Sequence, residues 1–406
     1  MSVRVRFAPA PTGDLHIGGA MVAVANHLLR LQQGGAFVLR IDDTDPSGHA
    51  ERAAERIEAT LGWLGITIDE GPDAGPYAPY RQSLRTTEHL AAAERLVAAG
   101  VARRGEDGAI VLPPVEHDVV IEDLSRGPIR IPAGELPRTI LVRSDGRPTF
   151  HLATAVDDAA MAITHVLRGE DHITNTAIQL VLCAALGCAP PRFAHLPIVV
   201  GEDGAKLSSS DGAVGVDALR AAGWLPVAIV DWLARSACPP ITALPASTAD
   251  ALAVAFDPAR LGHGTTRLDP ALLESLGRDH LAQLPADELV RRVGEALAEQ
   301  GCACAPAQLA ALAPGLGDAA TIPQAVALVA GVVERAAPLP PTDADRTAAT
   351  ALIALDTVDP DALGVGKRSV RRVLTSADHG IPLPFVLAAL PRDEIIARAQ
   401  AVLDLP

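Results

Sequence analysis

A strand that feeds a helix through a run of small residues leaves the first amides of that helix bare, and residues 7–20, FAPAPTGDLHIGGA, have this form. Residues 3–8 alternate in polarity and predict a strand, while residues 20–31 carry the apolar spacing of a helix. Pro11, Thr12, Gly13, His16, Gly18 and Gly19 occupy the turn between them. Bare amides and a helix dipole favour an anion, glycine lets the backbone approach it closely, and an imidazole adds a donor. The turn is a candidate phosphate site. A second segment, residues 201–212, GEDGAKLSSSDG, puts Lys206 on a glycine- and serine-rich loop, where a mobile cation can follow charge developing on a phosphate. Lys206 and Lys367 are the only lysines in 406 residues, against 32 arginines (34 basic residues minus 2). A compact ammonium on a flexible stem differs from a planar guanidinium when it must track a moving phosphate. Taken singly, the turn also suits a structural strand-to-helix junction, and the lysine loop a solvated one.

Further stretches add to these two. They are LRIDDTDPSGHAERAAERIEATLGWLGITIDEGP (residues 39–72), GPYAPYRQSLR (75–85), VIEDLSRGPIRIP (120–132), LVRSDGRPTFHLATAVDD (141–158) and HVLRGEDHITNTAIQLVLCAALGCAPPRFAHLPIVVGEDGAKLS (165–208). In this order they resemble the bacterial glutamyl-tRNA synthetases, a class I aminoacyl-tRNA synthetase family. The likeness is strong over the first 240 residues and returns at residues 367–390. It implies an α/β fold, a class I Rossmann-type parallel sheet with a shortened acceptor-end insertion, followed by an all-α C-terminal region. The expected organisation is a catalytic domain in two halves (1–85 and 138–212, the latter ending in the KLSSS loop), the insertion (86–137), a stem-contact helical region (213–290) and a helical anticodon-binding-like domain (291–406). The local patterns agree: residues 36–41 read as a second strand, and the apolar runs AITHVLRG and AHLPIVVG bracket a helical NTAIQLVLCAALG. A loop is expected over 336–345.

The resemblance implies ATP-dependent activation of glutamate and transfer to the 3′ end of tRNA, read here as tRNA(Glu). His16, Gly18, Gly19 and Lys206 would then serve the triphosphate. Pro11, Thr12, Gly13, Gly169, Glu170, Asp171, Leu196, Pro197, Ile198 and Ser208 would line the ATP site, and Mg²⁺ would bridge the phosphates. Arg6, Ala8, Ala10, Asp42, Phe150, Thr154 and Arg168 would line the amino-acid site, with the two arginines facing a carboxylate. The pocket departs from the family at four positions: Ala10 replaces Ser, Asp42 Glu, Phe150 Tyr and Thr154 Asn. The loop departs at Ser209 and Ser210, where the family has Lys and Arg. Three readings stay open: a discriminating glutamate–tRNA ligase, a paralogue that delivers glutamate or a related acid to another acceptor, and a non-catalytic RNA- or nucleotide-binding module.

Composition limits the remaining classes. An apolar share of 49% with 20% charged residues belongs to an ordinary soluble globular protein. There is no basic segment followed by an apolar core at the N-terminus and no apolar run long enough for a bilayer, so a cytoplasmic location without membrane contact is expected. The chain is also expected to be a monomer. The five cysteines read as reduced thiols, and residues 102–115, where some relatives carry a zinc knuckle, contain none, so no structural zinc is expected. The net charge of −15 puts any nucleic-acid contact on local clusters: Arg103–Arg104, Arg291–Arg292, and Lys367–Arg368 with Arg371–Arg372. The last reads as a helix whose cations share one face, which is more often a solvated face than a nucleic-acid contact.

Overall fold

In the computed structural model the described residues are 2–44, 50–72, 74–201, 215–334, 339–354, 363 and 365–405. In chain order the strands are β1 (Val3–Phe7), β2 (Gly35–Leu39), β3 (Arg103–Arg104), β4 (Ile110–Leu112), β5 (Val119–Asp123), β6 (Gly127–Ile131), β7 (Thr139–Val142), β8 (His165–Gly169), β9 (Arg192–Leu196), β10 (Ile198–Val200) and β11 (Thr265–Arg267). The first five α-helices are α1 (Ile17–Gln33), α2 (Ala50–Trp63), α3 (Thr86–Ala98), α4 (Phe150–Ala160) and α5 (Ile173–Leu186).

Six strands form the main sheet, in the order β2-β1-β8-β9-β5-β6. All neighbours are parallel except the β5–β6 hairpin at one edge. Parallel neighbours require crossovers, and α1 between β1 and β2 and α5 between β8 and β9 supply two of them. The chain leaves β1 on one side to reach β2 and returns on the other side at β8, so the order reverses between β1 and β8. Ligands of open α/β sheets sit at the strand C-termini beside such a reversal. The buried Asn26 of α1 fastens the helix there, donating to the carbonyls of Val22 at 2.8 Å and Leu167 at 2.9 Å. Gly35 lets β2 begin hard against β1: a Cβ at its φ of +127° would stand 1.9 Å from the Val3 carbonyl oxygen. Smaller sheets pair β3-β4-β7 and β10-β11.

The expected parallel sheet is present, with local differences. Helix α1 starts at Ile17, three residues before the expected position. The apolar run 194–201 forms two strands rather than one, because Pro197 has no amide to donate and the chain changes sheets there. Strands β5 and β6, from within residues 86–137, complete the main sheet.

The described residues group into two units, Met1–Leu219 with Ile229–Asp269, and Arg220–Ala228 with Pro270–Pro406. The sheet lies in the first, where Val38, Ile121, Leu141, Leu152, Val166 and Phe193 belong to one core cluster. The second is helical around a core that includes Val293, Leu312, Val326, Val370 and Val386. The loop expected over 336–345 falls outside the described residues as far as 338, and the helix Asp343–Ala354 begins within its second half.

Candidate active site

The first motif becomes a capped helix start. His16 is extended (φ −76°, ψ 158°), and its Nδ1 accepts the Gly19 amide at 3.0 Å. An accepting Nδ1 places the proton of a neutral imidazole on Nε2. The ring lies over the first turn, which explains the glycine pair. A Cβ on Gly18 would stand 3.3 Å from His16 Nδ1, and one on Gly19 would stand 3.0 Å from Leu15 Cδ1. Pro11 is buried and Thr12 exposed in the preceding loop, whereas at Gly13 nothing lies within 4 Å of an added Cβ. Lys206, Ser208, Ser209 and Ser210 lie outside the described residues. The chain resumes at Gly215, bridged to His16, and Val216 donates to the Leu15 carbonyl at 3.0 Å. The chain that follows the second motif is thus tethered, at Gly215 and Val216, to the first.

Beside this turn the strand ends carry a buried charge cluster. Backbone bonds from Arg40 to Phe7 O (3.0 Å) and from Asp42 to Pro9 O (3.0 Å) extend the β1–β2 pairing, bringing Asp42 alongside the loop that contains Ala8 and Ala10. Helix α4 projects Phe150, Thr154 and Asp158 at four-residue spacing along one face. Arg40, wholly buried, donates to Asp42 Oδ1 at 2.7 Å and to Asp158 Oδ1 at 2.6 Å. Thr154 Oγ1 is 3.4 Å from Asp42 Oδ2, and Arg6 Nε is 3.5 Å from Asp158 Oδ1. Burial pushes the Asp42 carboxyl up against the pull of Arg40. At Asp158 burial also works upward, but Arg6 and Arg40 outweigh it and hold the carboxyl below its usual range.

Arg168, at the end of β8, is buried but only partly satisfied. Its Nη2 donates to Thr176 Oγ1 and Gln179 Oε1, both at 2.7 Å, while Nε and Nη1 have no hydrogen-bond partner among the described residues. Arg6 Nε shares that condition. Burial, and then the neighbouring Arg6, push the Arg168 guanidinium down to about 9. Among the described residues, three buried guanidiniums (Arg6, Arg40, Arg168) face two buried carboxyls (Asp42, Asp158) in this cluster, and the further Asp157 is already paired with Arg85, so positive charge is in excess within the cluster whichever form Asp42 takes. A buried donor without a partner is costly, and a bound carboxylate removes that cost. Phe150, one turn before Thr154 on α4, has its ring centroid 5.9 Å from His151 and 5.8 Å from His172.

The residues expected around the nucleoside gather at the ends of β8 and β9. A Cβ on Gly169 would stand 2.4 Å from Asp171 Oδ1, so a larger residue there would displace that carboxylate. The Glu170 carboxylate pairs with Arg126 and accepts the Gly264 amide at 3.0 Å. Leu196 and Pro197 are buried, and the Ile198 amide donates to Gly264 O at 2.9 Å. Among the described residues no group of three His, Cys, Asp or Glu could hold a metal, and no helix is long and apolar enough to cross a membrane.

Sequence reasoning missed Arg40 and Asp158, the centre of the charge cluster. The alternation that puts Arg40 and Asp42 on one side, and the four-residue step from Thr154 to Asp158, were the available signals. The basic clusters are largely occupied. Arg104 pairs with Glu94, Arg291 with Glu288 and Glu295, Arg292 with Glu288, Arg368 with Asp378, and Arg372 with Asp345 and Asp378.

The family described as tRNA synthetases class I (E and Q), catalytic domain, matches residues 2–109 and 111–269. The chain is 41% identical over 303 residues to glutamate–tRNA ligase 1 of Rubrobacter xylanophilus, covering 73% of this chain and 68% of that one. It is 37% identical over 397 residues to glutamate–tRNA ligase 1 of Acidiphilium cryptum, covering 84% and 81%. Its fold is similar to the crystal structure of a glutamate tRNA ligase from Elizabethkingia meningosepticum in complex with its amino acid. The TM-score is 0.85 at 23% identity, over 100% of both chains.

Proposed function

Because the chain belongs to the class I tRNA synthetases for glutamate and glutamine, we propose that it activates L-glutamate with ATP and transfers it to the 3′ end of tRNA(Glu). The observation that carries the choice of substrate is the pair of buried guanidiniums, Arg6 and Arg168, with N–H groups left without a hydrogen-bond partner among the described residues. A carboxylate completes them and matches the excess positive charge. The neutral amide of glutamine does not.

An oxygen of the glutamate α-carboxylate attacks the α-phosphorus of ATP, and pyrophosphate leaves to give glutamyl-adenylate. A hydroxyl of the terminal tRNA ribose then attacks the acyl carbon, and AMP leaves. Holding the reactants and neutralising phosphate charge supply the rate, and no strong general base is required. The roles proposed for the first motif are amides from Gly18 and Gly19, with His16 at the capped N-terminus of α1, as the cradle for the triphosphate. Pro11, Thr12 and Gly13 shape the loop before it. Gly169, Glu170, Asp171, Leu196, Pro197 and Ile198 take the nucleoside, and Lys206 and Ser208 act from their loop. Mg²⁺ arriving with ATP would supply charge neutralisation on the phosphates. The proposed acceptor-binding parts are residues 86–137 at the acceptor end, 213–290 at the stem and 291–406 at the anticodon, in a monomer acting in the cytoplasm. The ion-paired arginines of the helix Lys367–Thr375 would exchange Asp345 and Asp378 for phosphate on binding. Incubation with labelled glutamate, ATP and total tRNA tests the reading: acid-precipitable glutamyl-tRNA is expected, and its absence rejects it.

Two variants probe the parts. Asp42→Ala removes the carboxylate beside Arg40 and Thr154, which is proposed to meet the substrate ammonium. It is expected to raise the KM for glutamate about tenfold or more, as for a lost charged hydrogen bond, with the KM for ATP within twofold. Loss of ATP binding with glutamate binding kept would show the pocket to be misplaced. Ser209→Lys restores a cation near Lys206, and an increase of about tenfold in the rate of adenylate formation is expected from one added donor to the phosphates. Single-turnover kinetics read this directly, and an unchanged rate would show that Ser209 lies away from the phosphates.

A further inference from the structure

Arg168 is held from behind by residues of three other elements. Its Nη2 meets Thr176 Oγ1 of α5 at 2.7 Å, Thr176 Oγ1 meets His195 Nε2 of β9 at 2.8 Å, and His195 Nδ1 meets Asp123 Oδ2 of β5 at 2.6 Å. All four residues are buried. Sheet register builds the array: Arg168 is the partner of His195 across β8 and β9, and Asp123 is the partner of Phe193 across β5 and β9. Phe193 stacks on His195 at 6.4 Å and lies 5.5 Å below the Arg168 guanidinium, which fixes the planes of both.

The proton inventory gives the array a direction. Asp123 Oδ1 already accepts the Ser125 amide (2.9 Å), the Ser125 hydroxyl (2.8 Å) and the Arg126 amide (3.0 Å). Burial works to raise the Asp123 carboxyl, but the bonds from His195 and Ser125 outweigh it and keep it below the ordinary carboxylate range. Burial, with a smaller push from Arg168, lowers His195 against the pull of Asp123. A neutral His195 with its proton on Nδ1 offers a bare Nε2. Thr176 Oγ1 then accepts from Arg168, and its one proton is shared between His195 Nε2 at 2.8 Å and the His172 carbonyl at 3.0 Å. A carboxylate placed directly on Arg168 would have occupied the donors that the substrate needs. The array polarises the same contacts from a distance and leaves Nε and Nη1 without a partner among the described residues.

We propose that Asp123, His195 and Thr176 are positioning residues for amino-acid recognition, fixing Arg168 by its Nη2 so that its remaining N–H groups meet the substrate carboxylate. This rests on the reading of Arg168 as a glutamate contact. It is tested in the full chain by glutamate- and tRNA-dependent pyrophosphate exchange, with calorimetry of glutamate alone. Thr176→Val, which keeps shape and removes the hydroxyl, is expected to raise the KM for glutamate about tenfold, the scale of a hydrogen bond to a charged group, with the KM for ATP and the thermal midpoint near native. Thr176→Ser is expected to restore the KM to within about twofold, and Asp123→Asn to raise it about threefold through the weakened relay. An unchanged glutamate KM in Thr176→Val, a parallel rise for ATP, or failure of serine to rescue overturns the proposal. If Thr176→Val does not fold, Asp123→Asn decides, with an unchanged glutamate KM as the overturning result. Absence of glutamate-dependent exchange in the unaltered chain rejects the reading of the function itself, and the proposal with it.

Discussion

Arg168→Ala is expected to raise the KM for glutamate at least a hundredfold while the KM for ATP stays within twofold. The guanidinium is buried at the end of β8, spends Nη2 on Thr176 and Gln179, and keeps Nε and Nη1 for the ligand. Truncating one member of a buried charge pair costs about 2–5 kcal/mol, much of it from the abandoned partner, here the substrate carboxylate. Arg168→Lys retains charge but offers a point donor with a different reach. A loss of roughly thirtyfold, or about 2 kcal/mol, is expected. Steady-state pyrophosphate exchange at varied glutamate reads both variants, and a lysine variant equal to wild type would remove guanidinium geometry from the account.

The second large effect is on stability. Asp158→Ala removes the carboxylate that accepts from Arg40 at 2.6 Å and lies 3.5 Å from Arg6, leaving the three guanidiniums of the cluster with Asp42 as their remaining buried carboxyl among the described residues, Asp157 being paired with Arg85. Breaking a buried pair in this way is expected to cost about 3–5 kcal/mol in the unfolding of the sheet-containing unit. The pH dependence has a definite sign. The folded-state value of Asp158 is depressed, so its contribution is complete above the unfolded carboxylate value of about 4 and disappears as pH falls through the lower folded value. Urea titrations should therefore separate native and variant chains at pH 7 and bring them together in acid. A constant gap down to the acid limit would show that lost packing, rather than charge, is responsible.

The strand-turn-helix at the first motif was legible because its pattern is local. Its helix start was not, since the cap is the ring of His16 folded onto the Gly19 amide rather than the usual Ser, Thr, Asp or Asn. Arg6, Asp42, Thr154 and Arg168 were legible through family resemblance, and the structure brings them to one end of the sheet. Arg40 and Asp158 were not, because their pairing joins residues 118 apart and no local spacing encodes it. The same holds for β5, whose place beside β9 depends on a long-range register. The arginines of residues 367–372 illustrate the reverse error. A run of cations is visible in sequence, but its neutralisation by Asp345, 27 residues from Arg372, is a tertiary fact.

The proposed function depends on the excess of buried guanidiniums in the cluster, which would select an acidic amino acid for activation by ATP. Exchange of labelled pyrophosphate into ATP, measured with each of the twenty amino acids in the presence of total tRNA, tests it most directly. Glutamate should support exchange at least a hundredfold faster than glutamine, the scale set by leaving a buried charge unpaired. Equal or faster exchange with glutamine, or exchange with no amino acid at all, would contradict it.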